Sequence, residues 1–167
     1  MVERIIPSLE KPLNTQFFVL GENREGADKL LDHVEIYIDF FTRSFGQYPW
    51  LKEKLGIVNT PYLGMEHQTI IAYGNDYKYN DKGYDFLLFH ELAHEWWGNY
   101  LSVGDWADFW IHEGFAIYSE ALFVEEKYGL KVSIIHQLWI KPFVFKSKWK
   151  NALNNSKYGG IVLDDDY

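Results

Sequence analysis

The feature that most constrains this chain is a pair of histidines four residues apart, His90 and His94, followed by Glu113. Residues at positions i and i+4 lie one above the other on the same face of an α-helix. Two imidazoles placed in this way can converge on one ion, and Glu113 would add a carboxylate as the third ligand. A hydrolytic zinc site typically uses three protein ligands and leaves the fourth position to water. Glu91, next to the first histidine, is then free to act as a general base.

The helix predicted to carry this pattern, residues 84–101, is apolar around nearly its whole circumference, which is typical of a buried helix. Its polar residues include His90, Glu91, His94 and Glu95. Buried charges need partners. A single divalent cation could serve as the partner of these ionisable side chains in a buried helix. An ordinary core helix would instead have to provide several separate partners for the same cluster.

A second helix is predicted over residues 106–129, with Gly129 as its C-terminal glycine. Glu113 and Glu120 lie on one stripe of this helix. The alternative for Glu113 is an ordinary solvated carboxylate, but its apolar neighbours on the helix favour burial. A histidine ligand usually donates its other ring N–H to a carboxylate or a carbonyl, and both Glu120 and Asp108 are candidates for that acceptor.

Composition excludes some classes of partner. The chain has 16 Lys and Arg against 24 Asp and Glu, for a formal net charge of -8, whereas nucleic-acid binding requires a basic stripe. We therefore expect no nucleic-acid partner. No apolar run approaches the roughly 18 residues of a membrane span. Cysteine is absent, so there are no disulfides, and the sequence assigns no compartment.

The stretch from His90 onward resembles the zinc signature of the M1 metallopeptidases, the family of membrane alanyl aminopeptidase and leukotriene A4 hydrolase. The match extends through the run HELAHEWWGNYLSVGDWADFWIHEGFAIYSE. The family's Asn-Glu-Gly triplet reads here as His112-Glu113-Gly114, so its asparagine is replaced. The resemblance implies one Zn²⁺ per chain, held by His90, His94 and Glu113 with Glu91 as the base.

An upstream motif, PYLGMEHQT at residues 61–69, resembles the family's exopeptidase motif Gly-x-Met-Glu-Asn. Met65 and Glu66 align with its methionine and glutamate, and Gly64 occupies the variable position. Leucine and histidine replace the motif's first glycine and its asparagine. In the family this glutamate binds the free amino group of the substrate. The resemblance therefore implies that Glu66, with Met65 and Gly64, binds peptides with a free N-terminus.

The order of elements predicts an α+β fold, with a small sheet packed against the helices that carry the site. The resemblance implies a thermolysin-like (gluzincin) catalytic domain, present in part, with further domains of a longer parent enzyme as partners. We expect a single domain over residues 1–167, made of parts 1–83, 84–129 and 130–167. The predicted strands are 15–20, 55–58 and 69–73, after an extended lead-in over 1–12, and the predicted helices are 25–45, 84–101, 106–129 and 132–145.

These observations predict a zinc-dependent metallopeptidase, specifically an aminopeptidase. The alternatives are another gluzincin hydrolase, such as an endopeptidase or an epoxide hydrolase, and a non-catalytic module that retains the fold. In the family, a tyrosine about sixty residues after the third ligand stabilises the oxyanion. Tyr158 and Tyr167 both lack the sequence setting of that tyrosine. We therefore expect that the chain binds zinc but that, alone, it is a poor enzyme.

Overall fold

Among the described residues, a five-stranded mixed sheet forms one layer. The computed structural model describes residues 1–7 and 11–131. The strands are β1 (Val2–Ile6), β2 (Leu13–Phe18), β3 (Leu55–Asn59), β4 (Gly64–Met65) and β5 (Ile70–Tyr73). Their spatial order is β1-β2-β3-β5-β4. The central pairs β2–β3 and β3–β5 are parallel, whereas β1 and β4 pair antiparallel at the two edges.

In the part of the chain that the structure describes, three α-helices form the other layer. They are α1 (Arg24–Phe45), α2 (Phe86–Ala93) and α3 (Trp110–Tyr128). The long helix α1 forms because its apolar residues recur at helical spacing and give it one buried stripe, which includes Leu30, Val34, Ile38 and Phe41. It ends at Gly46, whose φ of 96° is readily adopted only by a residue without a side chain.

Phe89 holds α2 between the other two helices. Its ring centroid lies 4.8 Å from that of Phe41 on α1 and 4.7 Å from that of Phe123 on α3. All three rings are buried, and aromatic contacts of this kind stabilise a core beyond the area they bury. Because α2 is fixed on both sides, the face that carries the histidine pair is directed at α3.

The α+β class predicted from the sequence is confirmed, and the residue ranges of several elements are close to those expected. The predicted helix over residues 84–101 is wrong at both ends. It begins at Phe86, after Asp85 caps it by accepting a hydrogen bond from the Leu88 N–H at 3.0 Å. Its α-helical hydrogen bonding ends at Ala93. The backbone itself departs from helical angles further on, at Trp97 and Gly98.

A six-residue segment with π-helical hydrogen bonds, the π-turn (Glu95–Tyr100), follows α2. The helix predicted over 106–129 is likewise divided, into a short 3-10 helix at Trp106–Asp108 and α3. The first residues, expected only to be extended, pair with β2 as strand β1. The helix predicted over 132–145 lies outside the described residues.

The tryptophans do not share one role. Core packing is the observed role of Trp96, which is buried against Phe41, whereas Trp106 is 82% exposed. Trp139 and Trp149 lie outside the described residues. Within the described part of the chain, no helix is both long and apolar enough to cross a membrane.

Candidate metal centre

Two helices bring three potential ligand atoms together at one point. The Nε2 atom of His90 on α2 lies 3.3 Å from that of His94, the residue that directly follows α2, and 3.4 Å from Glu113 Oε2 on α3. One ligand atom from each residue lies within 4.8 Å of the others. Zinc bonds of about 2.0–2.1 Å in a tetrahedron separate neighbouring ligand atoms by about 3.3–3.4 Å. The donor set therefore fits a zinc ion in its chemistry, and two of its three ligand separations match the edges of the tetrahedron.

The far side of each histidine ring is also engaged. His90 Nδ1 lies 3.1 Å from Glu120 Oε1, and His94 Nδ1 lies 2.9 Å from the Trp97 carbonyl oxygen. Both acceptors place the ring proton on Nδ1, which leaves the Nε2 lone pairs directed at the centre. Such partners fix the orientation of a ligand ring as well as its tautomer.

The two carboxylates proposed as acceptors for a histidine differ in position. Glu120 is buried and also accepts a hydrogen bond from the Tyr84 hydroxyl at 3.4 Å. Asp108 is exposed on the short 3-10 helix before α3. Across residues 1–7 and 11–131, its side chain accepts no hydrogen bond from either histidine. The geometry therefore favours Glu120 for this role.

The Trp97 carbonyl is the part of the centre that sequence reasoning missed. It is available to His94 because the backbone leaves helical angles three residues after that histidine, at Trp97 and at Gly98, whose φ is 140°. A backbone acceptor leaves no side-chain signature in a sequence. The only available signal was the glycine itself, since glycine readily adopts a positive φ.

Strand β4 ends just before Glu66 and brings that residue close to the metal centre. Glu66, Glu91 and His94 each offer one ligand atom within 4.8 Å of the others. Glu91 is buried, Glu66 is half-buried and Met65 is 43% exposed. A Cβ atom at Gly64 would lie only 2.7 Å from Glu91 Oε1, so the missing side chain allows the β4 backbone to approach that carboxylate.

Glu95 corrects the expectation that one cation serves every buried polar residue of the helix. Its carboxylate accepts hydrogen bonds from the Thr69 N–H at 2.8 Å and from the Tyr48 hydroxyl at 3.2 Å. These partners lie outside the metal centre. Burial raises the pKa of Glu95 to about 7, although both hydrogen bonds act in the opposite direction. Glu95 therefore links the end of α2 to the loop between β4 and β5.

The two histidines have opposite tendencies to bind a proton. Burial alone would lower the pKa of His90, but hydrogen bonds to Glu113 and Glu120 raise it to about 10. Burial, followed by the nearby His90, lowers the pKa of His94 to about 4. A metal ligand must be deprotonated. A cation at this centre would therefore displace the proton that the surrounding carboxylates favour on His90.

The burial of Glu113 does not come from the neighbours expected to provide it. Trp110 and Phe115, on either side of it along α3, are 46% and 40% exposed. Glu113 is instead covered because it lies on the side of α3 that packs against α2, together with Ala116 and Glu120. The third potential ligand therefore lies at the contact between the two helices.

The family is identified by a comparison with known protein families. The model of the peptidase family M1 domain matches residues 30–158. This chain belongs to peptidase family M1. The resemblance noted in the sequence is thereby confirmed, and the family is one of peptidases, which are hydrolases.

Individual relatives are distant and much longer. Rat aminopeptidase B is 27% identical over 143 residues, which cover 80% of this chain and 22% of that protein. Leucine aminopeptidase 2 of Eremothecium gossypii is 30% identical over 96 residues, which cover 52% of this chain and 14% of that protein. The chain therefore spans less than a quarter of the length of these relatives.

Solved structures show the same fold. Yeast leukotriene A4 hydrolase matches with a TM-score of 0.63 and 21% identity, over 93% of this chain and 24% of that one. An M1 zinc metallopeptidase of Deinococcus radiodurans bound to a Tyr-Ser-Ala substrate matches with a TM-score of 0.55 and 22% identity, over 76% and 29%. The gluzincin-type α+β fold expected from the sequence is thereby confirmed.

Proposed function

We propose that this chain carries the catalytic centre of a zinc aminopeptidase, in which His90, His94 and Glu113 bind one zinc ion and Glu91 is the general base. The observation that carries the proposal is the separation of the ligand atoms, 3.3 Å and 3.4 Å, which matches the edges of a zinc tetrahedron. Membership of peptidase family M1 and the aminopeptidase names of its relatives support it.

The chemistry follows from the placement of charge. Bound zinc would supply a Lewis acid that lowers the pKa of water to about 7 and polarises a peptide carbonyl. The Glu91 carboxylate would accept a proton from the attacking water and return it to the leaving amine. Glu120 and the Trp97 carbonyl would hold the two imidazoles in their ligand orientation while Glu91 moves the proton.

The charge balance favours a substrate with a free amino terminus. Glu66, Glu91 and Glu113 each lie within 4.8 Å of His94, and Glu120 lies 3.1 Å from His90, so the centre carries four negative charges when all are ionised. Like charges this close disfavour one another unless cations are present. A divalent metal balances two of these charges, and the ammonium group of a peptide N-terminus balances one more. We assign that ammonium to Glu66, beside Met65 and Gly64 in β4. The interior of a longer peptide brings no such charge, which separates this proposal from an endopeptidase.

The metal assignment is tested by zinc stoichiometry. Purified chain should bind about one zinc, and Glu113→Ala should remove stoichiometric binding because only two ligands remain. Glu125→Ala is the matched control, since Glu125 is an exposed carboxylate on the same helix. Equal zinc content in all three proteins, measured after dialysis against a weak chelator, would overturn the assignment.

The role of Glu66 is tested by binding, which does not depend on turnover. Zinc-loaded chain is titrated calorimetrically with leucine hydroxamate and with its N-acetylated form. Glu66→Ala should weaken binding of the free amine about 10- to 100-fold, as expected when one partner of a charged hydrogen bond is lost. Binding of the acetylated form should change little. Equal losses for both compounds would instead support an endopeptidase or another gluzincin hydrolase.

A further inference from the structure

His112 stands where the M1 family usually has asparagine, and the proposed chemistry gives it no role. It is buried in the first turn of α3, directly before Glu113. Its Nε2 atom accepts a hydrogen bond from the Val103 N–H at 3.1 Å. A peptide N–H can only donate, so Nε2 must be unprotonated and the ring proton must be on Nδ1.

The other edge of the His112 ring faces the π-turn. A Cβ atom at Gly98 would lie 3.3 Å from His112 Nδ1 and 3.5 Å from His94 Nδ1. The backbone at Gly98 therefore passes between the two imidazoles, where there is no room for a side chain without displacement. The residue before it is Trp97, whose carbonyl accepts the hydrogen bond from His94.

The π-turn is held by backbone hydrogen bonds and ring contacts. The regular helical ladder ends before it, and its hydrogen bonds run from Asn99 N to His94 O at 2.9 Å, from Gly98 N to Leu101 O at 3.1 Å and from Leu101 N to Trp96 O at 3.0 Å. The Trp97 ring stacks on that of Phe115 on α3, with ring centroids 4.9 Å apart. The bond from Val103 to His112 ties the segment that follows the turn to α3. The hydrogen bond to His112 thus adds to the Trp97–Phe115 contact in joining the helix that carries Glu113 to the segment that orients His94.

We propose that His112 is a positioning residue, whose Nε2 holds the Val103 N–H and thereby fixes the turn that presents the Trp97 carbonyl to His94. This inference depends on the proposed function, since it treats His94 as a metal ligand. The competing explanation is that the ring only fills space at the contact between α3 and the π-turn. The two explanations predict different effects on zinc binding when His112 is replaced by a ring that has no nitrogen acceptor.

Three variants separate these explanations. His112→Phe keeps a ring but removes the acceptor, and His112→Gln places an amide oxygen near the former Nε2. His33→Phe is the matched control, because His33 is a half-buried histidine on α1 whose ring contacts are with Tyr37 and Tyr79. Zinc dissociation constants are measured by competition with a chromophoric chelator. Thermal unfolding of the metal-free proteins monitors the fold.

We expect His112→Phe to weaken zinc binding roughly 10-fold, the lower end of the range for residues that orient metal ligands. The Gln variant should recover most of that loss, and His33→Phe should bind as the wild type does. Zinc binding by His112→Phe equal to that of the wild type would overturn the inference while leaving the proposed function intact. A wild-type chain that binds no zinc would overturn both.

A second measurement decides the matter without metal, even if His112→Phe fails to fold. Long-range ¹H–¹⁵N NMR spectra of the metal-free wild-type chain report which ring nitrogen of each histidine is protonated. We expect His112 to carry its proton on Nδ1. Protonation at Nε2 would exclude the bond to Val103 and would overturn the inference.

Discussion

The two halves of the molecule bury different kinds of side chain. In the half formed by the sheet and α1, the buried residues are chiefly apolar, among them Ile6, Leu13, Phe17, Leu31 and Val34. In the half formed by α2, the π-turn and α3, carboxylates are buried beside the aromatic core. Within the described ranges, every buried carboxylate lies in this second half, namely Asp85, Glu91, Glu95, Glu113 and Glu120.

The two halves therefore contribute differently to stability: apolar burial stabilises the first half, whereas buried carboxylates destabilise the second. Apolar burial stabilises the fold by about 25 cal/mol per Å², whereas a buried carboxylate destabilises it unless hydrogen bonds or a cation compensate. The sheet and α1 therefore support a centre that would not be stable by itself. Since folded domains are only marginally stable, the second half can tolerate few further losses.

The largest effect on stability is expected from the apolar half. Phe17 on β2 is fully buried and packs edge-on against Tyr73, with ring centroids 5.7 Å apart. Phe17→Ala should lower the free energy of unfolding by about 3–5 kcal/mol, because it removes buried area and leaves a cavity. Urea denaturation measures the change. Phe18→Ala is the control, since Phe18 points to the opposite face and is only half-buried. Equal effects of the two variants would show that burial on the inner face of β2 is not the cause of the loss.

An intermediate effect, dependent on pH, is expected at Glu95. Its pKa is about 7 in the folded chain against an ordinary value of 4.5. Between these two values, the folded state keeps a proton that the unfolded state has already lost. Between these values, the free energy of unfolding should fall as pH rises. Glu95→Gln has no charge to bury, yet its amide oxygen can still accept from Thr69. Above pH 7, the variant should therefore be more stable than the wild type by about 1–3 kcal/mol.

This prediction is checked by urea denaturation of the metal-free proteins near pH 5 and near pH 8. The difference between variant and wild type isolates Glu95 from the other groups that titrate over the same range. Glu125→Gln, at an exposed position on α3, should show no such dependence. A stability gap that stayed constant with pH would mean that burial of Glu95 is not the cause.

The smallest effect is expected where the two halves meet at the surface. Arg43 on α1 lies 2.9 Å from Glu126 on α3 and 2.9 Å from Asp39 one turn earlier, and all three side chains are largely exposed. Arg43→Ala should lower the free energy of unfolding by about 0.5 kcal/mol, and added salt should reduce this loss. A loss above about 2 kcal/mol would show that the halves are held together by charge rather than by the aromatic core.

Most of the structure that could be predicted from the sequence came from the spacing of residue types within single elements. The buried stripe of α1 was visible in the sequence because helical periodicity is a local property. The same is true of the helix face that His90 and His94 share, and of the helix stripe on which Glu113 and Glu120 lie. The roles assigned to these residues, and to Glu66, remain predictions until the metal and binding experiments are done.

What could not be predicted depends on contacts between distant segments or on the backbone. Glu95 looked like a further member of the metal cluster, because nothing in its neighbourhood in sequence indicates that Tyr48 and Thr69 lie beside it. The end of α2 was hidden because Trp96 and Trp97 continue the apolar helical pattern. The pairing of β1 with β2 is likewise a choice of register between segments and carries only a weak local signal.

The early end of α2 has a consequence for protein engineering. In an uninterrupted helix, each carbonyl points toward the C-terminus and accepts from the residue four positions later. The Trp97 carbonyl would then point away from the His94 ring. A designer who transplants the His-x-x-x-His pattern onto a straight helix would thus copy two ligands but lose the backbone group that aligns one of them. A transplanted site would therefore need both the helix and the non-helical segment that follows it.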